Sequence, residues 1–148
     1  MAKTLKPYTP NESNLVYEWV KKFYPNSLQW RRVRLGPLPL QKDSAMYGIL
    51  RRWADLIFKD KGIIYIVEAK MKPEPGAIGQ LKLYNELFPK TPEFSEFKDL
   101  PRKLIFLTTV KDLELKKITI RDDIEYVVYQ PDWVKEYWLK KRGGVPGA

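Results

Sequence analysis

Three residues of this chain have types and a spacing suited to chemistry: Asp55, Glu68 and Lys70. Glu68-Ala69-Lys70 ends a run whose first five residues, from Ile63, are apolar. Residues two apart on a strand share a face and lie about 6–7 Å apart. A carboxylate and an ammonium inside such a strand are costly unless they are paired or functional. Asp55 lies in the preceding strand-like run. If it faces Glu68 across a hairpin, the midpoint falls at the Lys61-Gly62 step, inside Asp60-Lys61-Gly62, which reads independently as a turn. That register sets two carboxylates side by side, where they repel. A divalent cation relieves the repulsion, and Lys70 is then close enough to orient or deprotonate a water, which makes phosphodiester hydrolysis possible. The backbone carbonyl of Ala69 offers one more oxygen ligand. The alternative is a buried Asp–Lys–Glu ion-pair cluster with a purely structural role, although such pairs often gain little over apolar replacements.

Composition narrows the chemistry further. The 148 residues include no cysteine and no histidine. Disulfides, zinc fingers, iron–sulfur clusters and thiol nucleophiles are excluded, as are Ser-His-Asp hydrolases and histidine-ligated metals. Oxygen ligands favour hard ions, so magnesium or manganese is the expected cofactor. Lys+Arg total 27 against 18 Asp+Glu, a net charge of +9. Such an excess attracts polyanions, of which nucleic acid is the usual one, though it also serves solubility. The length suits one domain spanning residues 1–148, with flexible ends at about 1–8 and 140–148. No apolar run is long enough to cross a bilayer, and the first residues lack the apolar centre of a signal peptide, so no membrane association and a cytoplasmic location are expected. The cysteine-free, Lys/Glu-rich composition also hints at a thermophilic source.

The elements that must position these residues are punctuated by proline and glycine. A first helix is expected from Thr9, whose Thr9-Pro10-Asn11-Glu12 reads as a capping box, to about Tyr24, with Leu15, Val16, Trp19, Val20 and Phe23 as its apolar stripe. Strands are expected over Leu28–Leu35, near a sheet edge, then Ile49–Phe58 and Ile63–Lys70, the last covered on both faces. Gly76–Phe88 reads as a helix. Pro89–Pro101 reads as a long loop, a lid or a binding loop. Strands at Lys103–Thr109 and Ile124–Tyr129 precede a helix opened by Pro131, and Lys140 to Gly144 should fray. The expected fold is α/β: an antiparallel three-strand meander, then a strand parallel to a neighbour, in a mixed sheet flanked by helices.

With Asp55 and Glu68-x-Lys70 spaced across a hairpin, the sequence resembles the PD-(D/E)xK nuclease superfamily. The α-β-β-β-α-β order matches that family's restriction-endonuclease-like core. Gln80-Leu81-Lys82-Leu83-Tyr84 further fits the Q-x-x-x-Y motif of the RecB-like branch, with Gln80 and Tyr84 on one helical face. The resemblance covers roughly Glu12 to Thr109. It implies that Asp55 and Glu68 bind magnesium, that Lys70 assists the attacking water, and that Gln80 and Tyr84 position substrate or the catalytic shell. Read without the family, Gln80 is a polar residue at the edge of a packed face and Tyr84 is core. Some relatives use an acid of the first helix as a further metal ligand, which makes Glu12 a candidate besides its capping role. The chain departs from the family in having Ala54 where a proline precedes the aspartate, and in lacking the histidine motif of many RecB-like nucleases and the cysteines of the iron–sulfur members. Junction resolvases and stand-alone endonucleases share the core and stay open.

Arg31, Arg32, Arg34, Arg51 and Arg52 fall in two neighbouring strands and are expected to meet backbone phosphates, or else to solvate an exposed sheet face. The implied enzyme is a magnesium-dependent deoxyribonuclease. RNA as substrate, endo- or exonuclease action and a homodimer all stay open, as does a non-catalytic nucleic-acid-binding module on the same fold.

Overall fold

The computed structural model describes residues 10–38 and 51–142. The expected Thr9 cap, the strand start at Ile49 and the tail from Gly143 lie outside the described residues. The elements are α1 (Pro10–Phe23), β1 (Leu28–Leu35), β2 (Arg52–Asp60), β3 (Ile63–Lys70), α2 (Gly76–Leu87), β4 (Arg102–Thr108), α3 (Leu113–Arg121), β5 (Ile124–Val128) and α4 (Asp132–Arg142). Pro10 opens α1, where a missing N–H costs nothing.

The five strands form one mixed sheet in the order β1-β2-β3-β4-β5. β1–β2 and β2–β3 are antiparallel, whereas β3–β4 and β4–β5 are parallel, so the meander and the later parallel strand are as expected. The β2–β3 hairpin closes at Asp60↔Ile63 over Lys61 and Gly62, both at positive φ (50° and 79°). A two-residue loop of that kind matches the right-handed twist of the strands, and Gly62 takes its φ without strain.

Helices cover both faces. On one side Leu15, Val16, Trp19 and Val20 of α1, with Val134 and Trp138 of α4, pack on Leu56, Phe58, Tyr65, Val67, Ile105 and Leu107. On the other, Ala77, Ile78, Leu81 and Tyr84 of α2 and Leu115 of α3 pack on Ile57, Ile64, Ile66, Leu104 and Phe106. Each fully buried Leu, Ile or Phe side chain contributes roughly 1.5–3 kcal/mol. These two apolar layers therefore fix β3, whose residues from Ile64 to Ala69 are all buried, between them.

One irregularity bears on the site. Ala54 and Ile57 both join the α2-side core, while Leu56 joins the α1 side. Strict alternation would put Ala54 with Leu56. β1 shows the same slip, for Trp30 and Val33, three apart, both pack on the α2 side. The cause is Arg32, which sits at φ 50° and inverts the phase of the pleat. A non-glycine residue in that conformation costs about 1–2 kcal/mol. The register, Arg31↔Leu56 followed by Val33↔Ala54, sets Arg32 across from Asp55.

Three expectations need correction. A helix, α3, stands between β4 and β5 where none was anticipated. Asp112 caps it, accepting the Leu115 N–H at 3.1 Å. The 89–101 segment is not an open loop. It forms two short 3-10 helices that drive Phe88 and Phe94 into the core, stacked 5.0 Å apart, with Trp30 of β1 edge-on to Phe94. Finally, α4 continues through Lys140 and Lys141 to Arg142, where fraying was expected.

Candidate active site

β2 and β3 pair from Asp60↔Ile63 as far as Leu56↔Val67, and the ladder then stops. Continued by one step, that register would set Asp55 opposite Glu68, but the two residues are not paired. Here β3 leaves β2 and continues against β4, pairing through Lys70↔Thr108. A strand that departs its neighbour strands backbone N–H groups, and Asp55 supplies the substitute. Its Oδ2 accepts the Ala69 N–H at 2.8 Å. The hydrogen bond makes the aspartate part of the strand's architecture and fixes its carboxylate at the fork.

Glu68 is fully buried, and its Oε2 lies 3.7 Å from Lys70 Nζ, whose side chain is 20% exposed. The pair is thus dry on the glutamate side and open to solvent on the lysine side. Tyr84 of α2 reports on both carboxylates. Burial, then the charges of Glu68 and Asp55, raise the pKa of its hydroxyl, so it stays protonated. It donates to the Trp53 carbonyl at 2.8 Å and receives a 3.4 Å bond from Gln80 Nε2. Gln80 and Tyr84 therefore act together, and what they hold is the backbone two residues ahead of Asp55.

Past Lys70 the chain is held from two sides. Glu12 Oε2 accepts the Met71 N–H at 3.3 Å, which brings α1 to the rim of the site. The Met71 carbonyl accepts the Thr109 hydroxyl, which in turn accepts Trp138 Nε1 of α4 at 2.9 Å. Helices from opposite ends of the chain thus fix the exit of β3.

The arginines separate into different roles. Arg51 is buried. Its guanidinium donates to the Gly36 carbonyl at 3.2 Å and to Glu93 Oε1 at 2.9 Å, tying the end of β1 to the second 3-10 helix. Burial works against the charged form of Glu93, but the Arg51 hydrogen bond and the positive charges of Arg51 and Arg34 outweigh it and lower its pKa. Arg31 is exposed, with its guanidinium 4.3 Å over the ring of Tyr17 from α1. Arg34 lies 5.4 Å over the ring of Trp53. Arg52 is exposed and close enough for its charge to oppose the rise at Tyr84. Tyr17 itself is raised, first by burial, with Asp55 adding to the rise and Arg31 and Arg32 opposing it. Sequence reasoning missed Tyr17, Trp53 and Thr109. Tyr17 lies one helical turn and a residue beyond Glu12, but nothing in its spacing marks it as facing the fork.

The donor types suit a hard divalent cation: one carboxylate is held by a backbone N–H at the strand fork, another is buried on the neighbouring strand, and the chain has no histidine or cysteine. Among the described residues no group of three or more His, Cys, Asp and Glu converges as a metal cluster. Backbone, solvent or substrate oxygens commonly complete the shell of magnesium.

No family model matches the sequence, and no curated protein matches it significantly. Among solved structures the fold is similar to the protein of unknown function AF1548, with a TM-score of 0.53 and 14% identity, over 88% of this chain and 65% of that one. A repair endonuclease from Pyrococcus abyssi matches with a TM-score of 0.49 and 15% identity, over 85% of this chain and 50% of that one. The EndoMS-dsDNA2 complex matches with a TM-score of 0.49 and 15% identity, over 88% and 49%. The chain spans 65% of the first of these structures and about half of the other two. The likeness to the first defines the fold as an α/β mixed sheet flanked by helices. Among the described residues no helix is long and apolar enough to cross a membrane.

Proposed function

We infer that this chain is a metal-dependent nuclease of the PD-(D/E)xK type that hydrolyses phosphodiester bonds in DNA. The observation that carries the reading is the fork itself: Asp55 bonded to the Ala69 N–H at 2.8 Å, next in register to a fully buried Glu68 that lies 3.7 Å from Lys70. A structural ion-pair knot explains Glu68 and Lys70. The fork sets the oxygens of Asp55 beside the strand that carries Glu68 and Lys70, which supports a cation site there.

Asp55, Glu68 and the Ala69 carbonyl would hold magnesium or manganese. When bound, the ion would polarise the scissile phosphate and the attacking water. Lys70, with its amine at the solvent side, orients that water for attack opposite the leaving 3′ oxygen. Water adds to phosphorus and releases a proton to solvent, the P–O3′ bond breaks, and the leaving oxygen takes up a proton from solvent, so that the exchange balances. The products are a 5′-phosphate and a 3′-hydroxyl. Tyr84 and Gln80 touch none of the reacting atoms in this scheme. They hold the Trp53 carbonyl and with it the approach to Asp55. The RecB-like assignment of these two residues, the choice between endo- and exonuclease action, and any dimeric resolvase-type assembly belong to the same proposal.

The test is incubation of the protein with labelled circular single-stranded DNA, linear duplex and a four-way junction, with magnesium, manganese or EDTA, beside Glu68→Gln. Metal-dependent cutting that disappears in a folded Glu68→Gln protein is the expected result. Near-parental cutting by that variant removes the basis of the site. Salt-sensitive binding without cutting on any substrate makes the chain a non-catalytic binding module.

A further inference from the structure

We propose that the outer face of α1 docks an unpaired DNA strand, with Arg31 and Lys21 on its phosphates and Trp133 stacked on a base. This deepens the nuclease reading and rests on it for the identity of the polyanion as DNA. Asn14, Tyr17, Glu18 and Lys21 recur at i, i+3, i+4 and i+7, so they form one stripe of α1. That stripe lies opposite Leu15, Val16, Trp19 and Val20, which pack on the sheet. The same four residues floor a shallow depression of about 480 Å³, walled by Arg31 of β1 and Trp133 of α4.

The floor holds each wall in place. Arg31 is exposed, with its guanidinium 4.3 Å over the Tyr17 ring. Stacking fixes the plane of a guanidinium, and its in-plane N–H groups have the geometry that phosphate accepts. Lys21, exposed one helical turn beyond Tyr17, adds a second cation. Trp133 is half-buried, and its Nε1 donates to Glu18 Oε2 at 3.0 Å. Glu18 Oε1 accepts the Tyr129 hydroxyl at 3.0 Å, so the one acid lining the depression spends both oxygens on aromatic groups. Its charge stands on the Trp133 side, which directs phosphates to Arg31 and Lys21 and a base to the indole.

Trp133 also lines a neighbouring depression of about 730 Å³, and therefore stands as a ridge between two hollows. Asp132 and Glu136 line that second hollow, which disfavours phosphates there and ends the track at the indole. Stacking on such a ridge needs a base with an open face, which an unpaired strand offers and a duplex, with its bases stacked on one another, does not. The surface adjoins the proposed chemistry, because Arg31 precedes the residue across from Asp55, and the Asp55 charge acts on Tyr17.

The experiment is fluorescence anisotropy in EDTA, so that no cleavage occurs, with fluorescein-labelled oligothymidylate, an abasic strand of the same length and a duplex. Salt is varied for the parent, Arg31→Gln, Lys21→Gln, the double variant, Trp133→Leu and Lys117→Gln, an exposed charge on α3. Each cation substitution on the surface is expected to lower the slope of log affinity against log salt on the single strand by about 0.7, and the double variant by about twice that. Lys117→Gln leaves the slope unchanged. Trp133→Leu weakens oligothymidylate binding by roughly fivefold or more with the slope retained, and binds the duplex and the abasic strand as the parent does. The parent itself binds the abasic strand more weakly than oligothymidylate by a similar factor. A double variant with parental slope and affinity overturns the proposal, even where the parent cuts DNA. A parent that binds the abasic strand as tightly as oligothymidylate overturns it with no substitution made. Loss of slope in the double variant, together with the parent's preference for a strand with bases, upholds it even where no substrate is cut and the catalytic reading falls.

Discussion

Asp55 has two jobs in this structure, and two substitutions separate them. One job is architectural: its Oδ2 caps the Ala69 N–H at 2.8 Å inside the fold, with Asp55 7% exposed and Ala69 fully buried. The other is the proposed negative charge of the metal site. Asp55→Ala removes both and leaves a buried N–H without its acceptor, at a cost of about 1–3 kcal/mol. For a chain of this length each kcal/mol shifts Tm by roughly 2–4 °C, so a fall of about 2–12 °C is expected. Asp55→Asn keeps an oxygen able to accept from Ala69 and removes only the charge. In the absence of metal its Tm should therefore lie above that of Asp55→Ala. Both variants should lose metal-dependent cleavage. Melting by circular dichroism in EDTA, with and without added magnesium, is the assay. The parent alone should gain Tm with magnesium, because only its intact site binds the ion in the native state. Asp55→Ala melting with the parent would refute the architectural role. Parental cleavage by Asp55→Asn would refute the charge requirement.

Tyr84→Phe removes the bond to the Trp53 carbonyl and should cost on the order of 1 kcal/mol in chemical denaturation, with a smaller loss of cleavage than Asp55→Asn. Gln80→Ala should be milder again, since its bond to Tyr84 is 3.4 Å long; a Gln80→Ala protein more impaired than Tyr84→Phe would contradict the order of support. Arg32→Asn, which tolerates positive φ, should melt above Arg32→Val by the equivalent of about 1–2 kcal/mol, and equal Tm values would mean that the backbone at Arg32 carries no strain. Glu93 has a folded-state pKa below its ordinary value of 4.5, so its bond to Arg51 stabilises above that value, and the contribution fades as pH falls through the depressed pKa. Glu93→Gln should therefore flatten the acid limb of a Tm-against-pH profile, and an unchanged limb would show that the pair contributes nothing.

The elements best read from sequence are those whose periodicity and punctuation agree. The turn at Lys61-Gly62 and the apolar run into Glu68 support each other and located the fork, while the α1 stripe is buried at Leu15, Val16, Trp19 and Val20 but not at Phe23. α3 was missed because its apolar stripe is short: only Leu115 and Thr119 are buried, and Leu113 and Ile120 face solvent. Its cap at Asp112 was the usable signal. The 89–101 segment misled because its three prolines suggest open loop, whereas its content is decided by Phe88 and Phe94, which can be buried only if the backbone coils beneath them. Arg51 was grouped with its neighbours by charge. Its burial depends on Gly36 and Glu93, one 15 and one 42 residues away, and no local pattern carries that information.

The pleat inversion is the deepest case. Arginine is not a residue that sequence rules assign to positive φ, so Arg32 gives no warning of its conformation. Its effect is visible only through partners: Trp30 with Val33, and Ala54 with Ile57, fall on one side of the sheet when a period of two would separate them. The slip occurs in both strands at the same level, beside the point where β2 and β3 part. A sheet that twists out of phase there can release β3 from β2 without exposing its apolar faces, and Asp55 then fills the resulting gap in the ladder with its side chain. The strain at Arg32 and the carboxylate at Asp55 are on this view two halves of one device. A substitution that disfavours the positive φ should also loosen the Asp55–Ala69 bond. The Ala69 amide should then exchange with solvent faster in Arg32→Val than in Arg32→Asn. Equal exchange rates in the two variants would separate the halves.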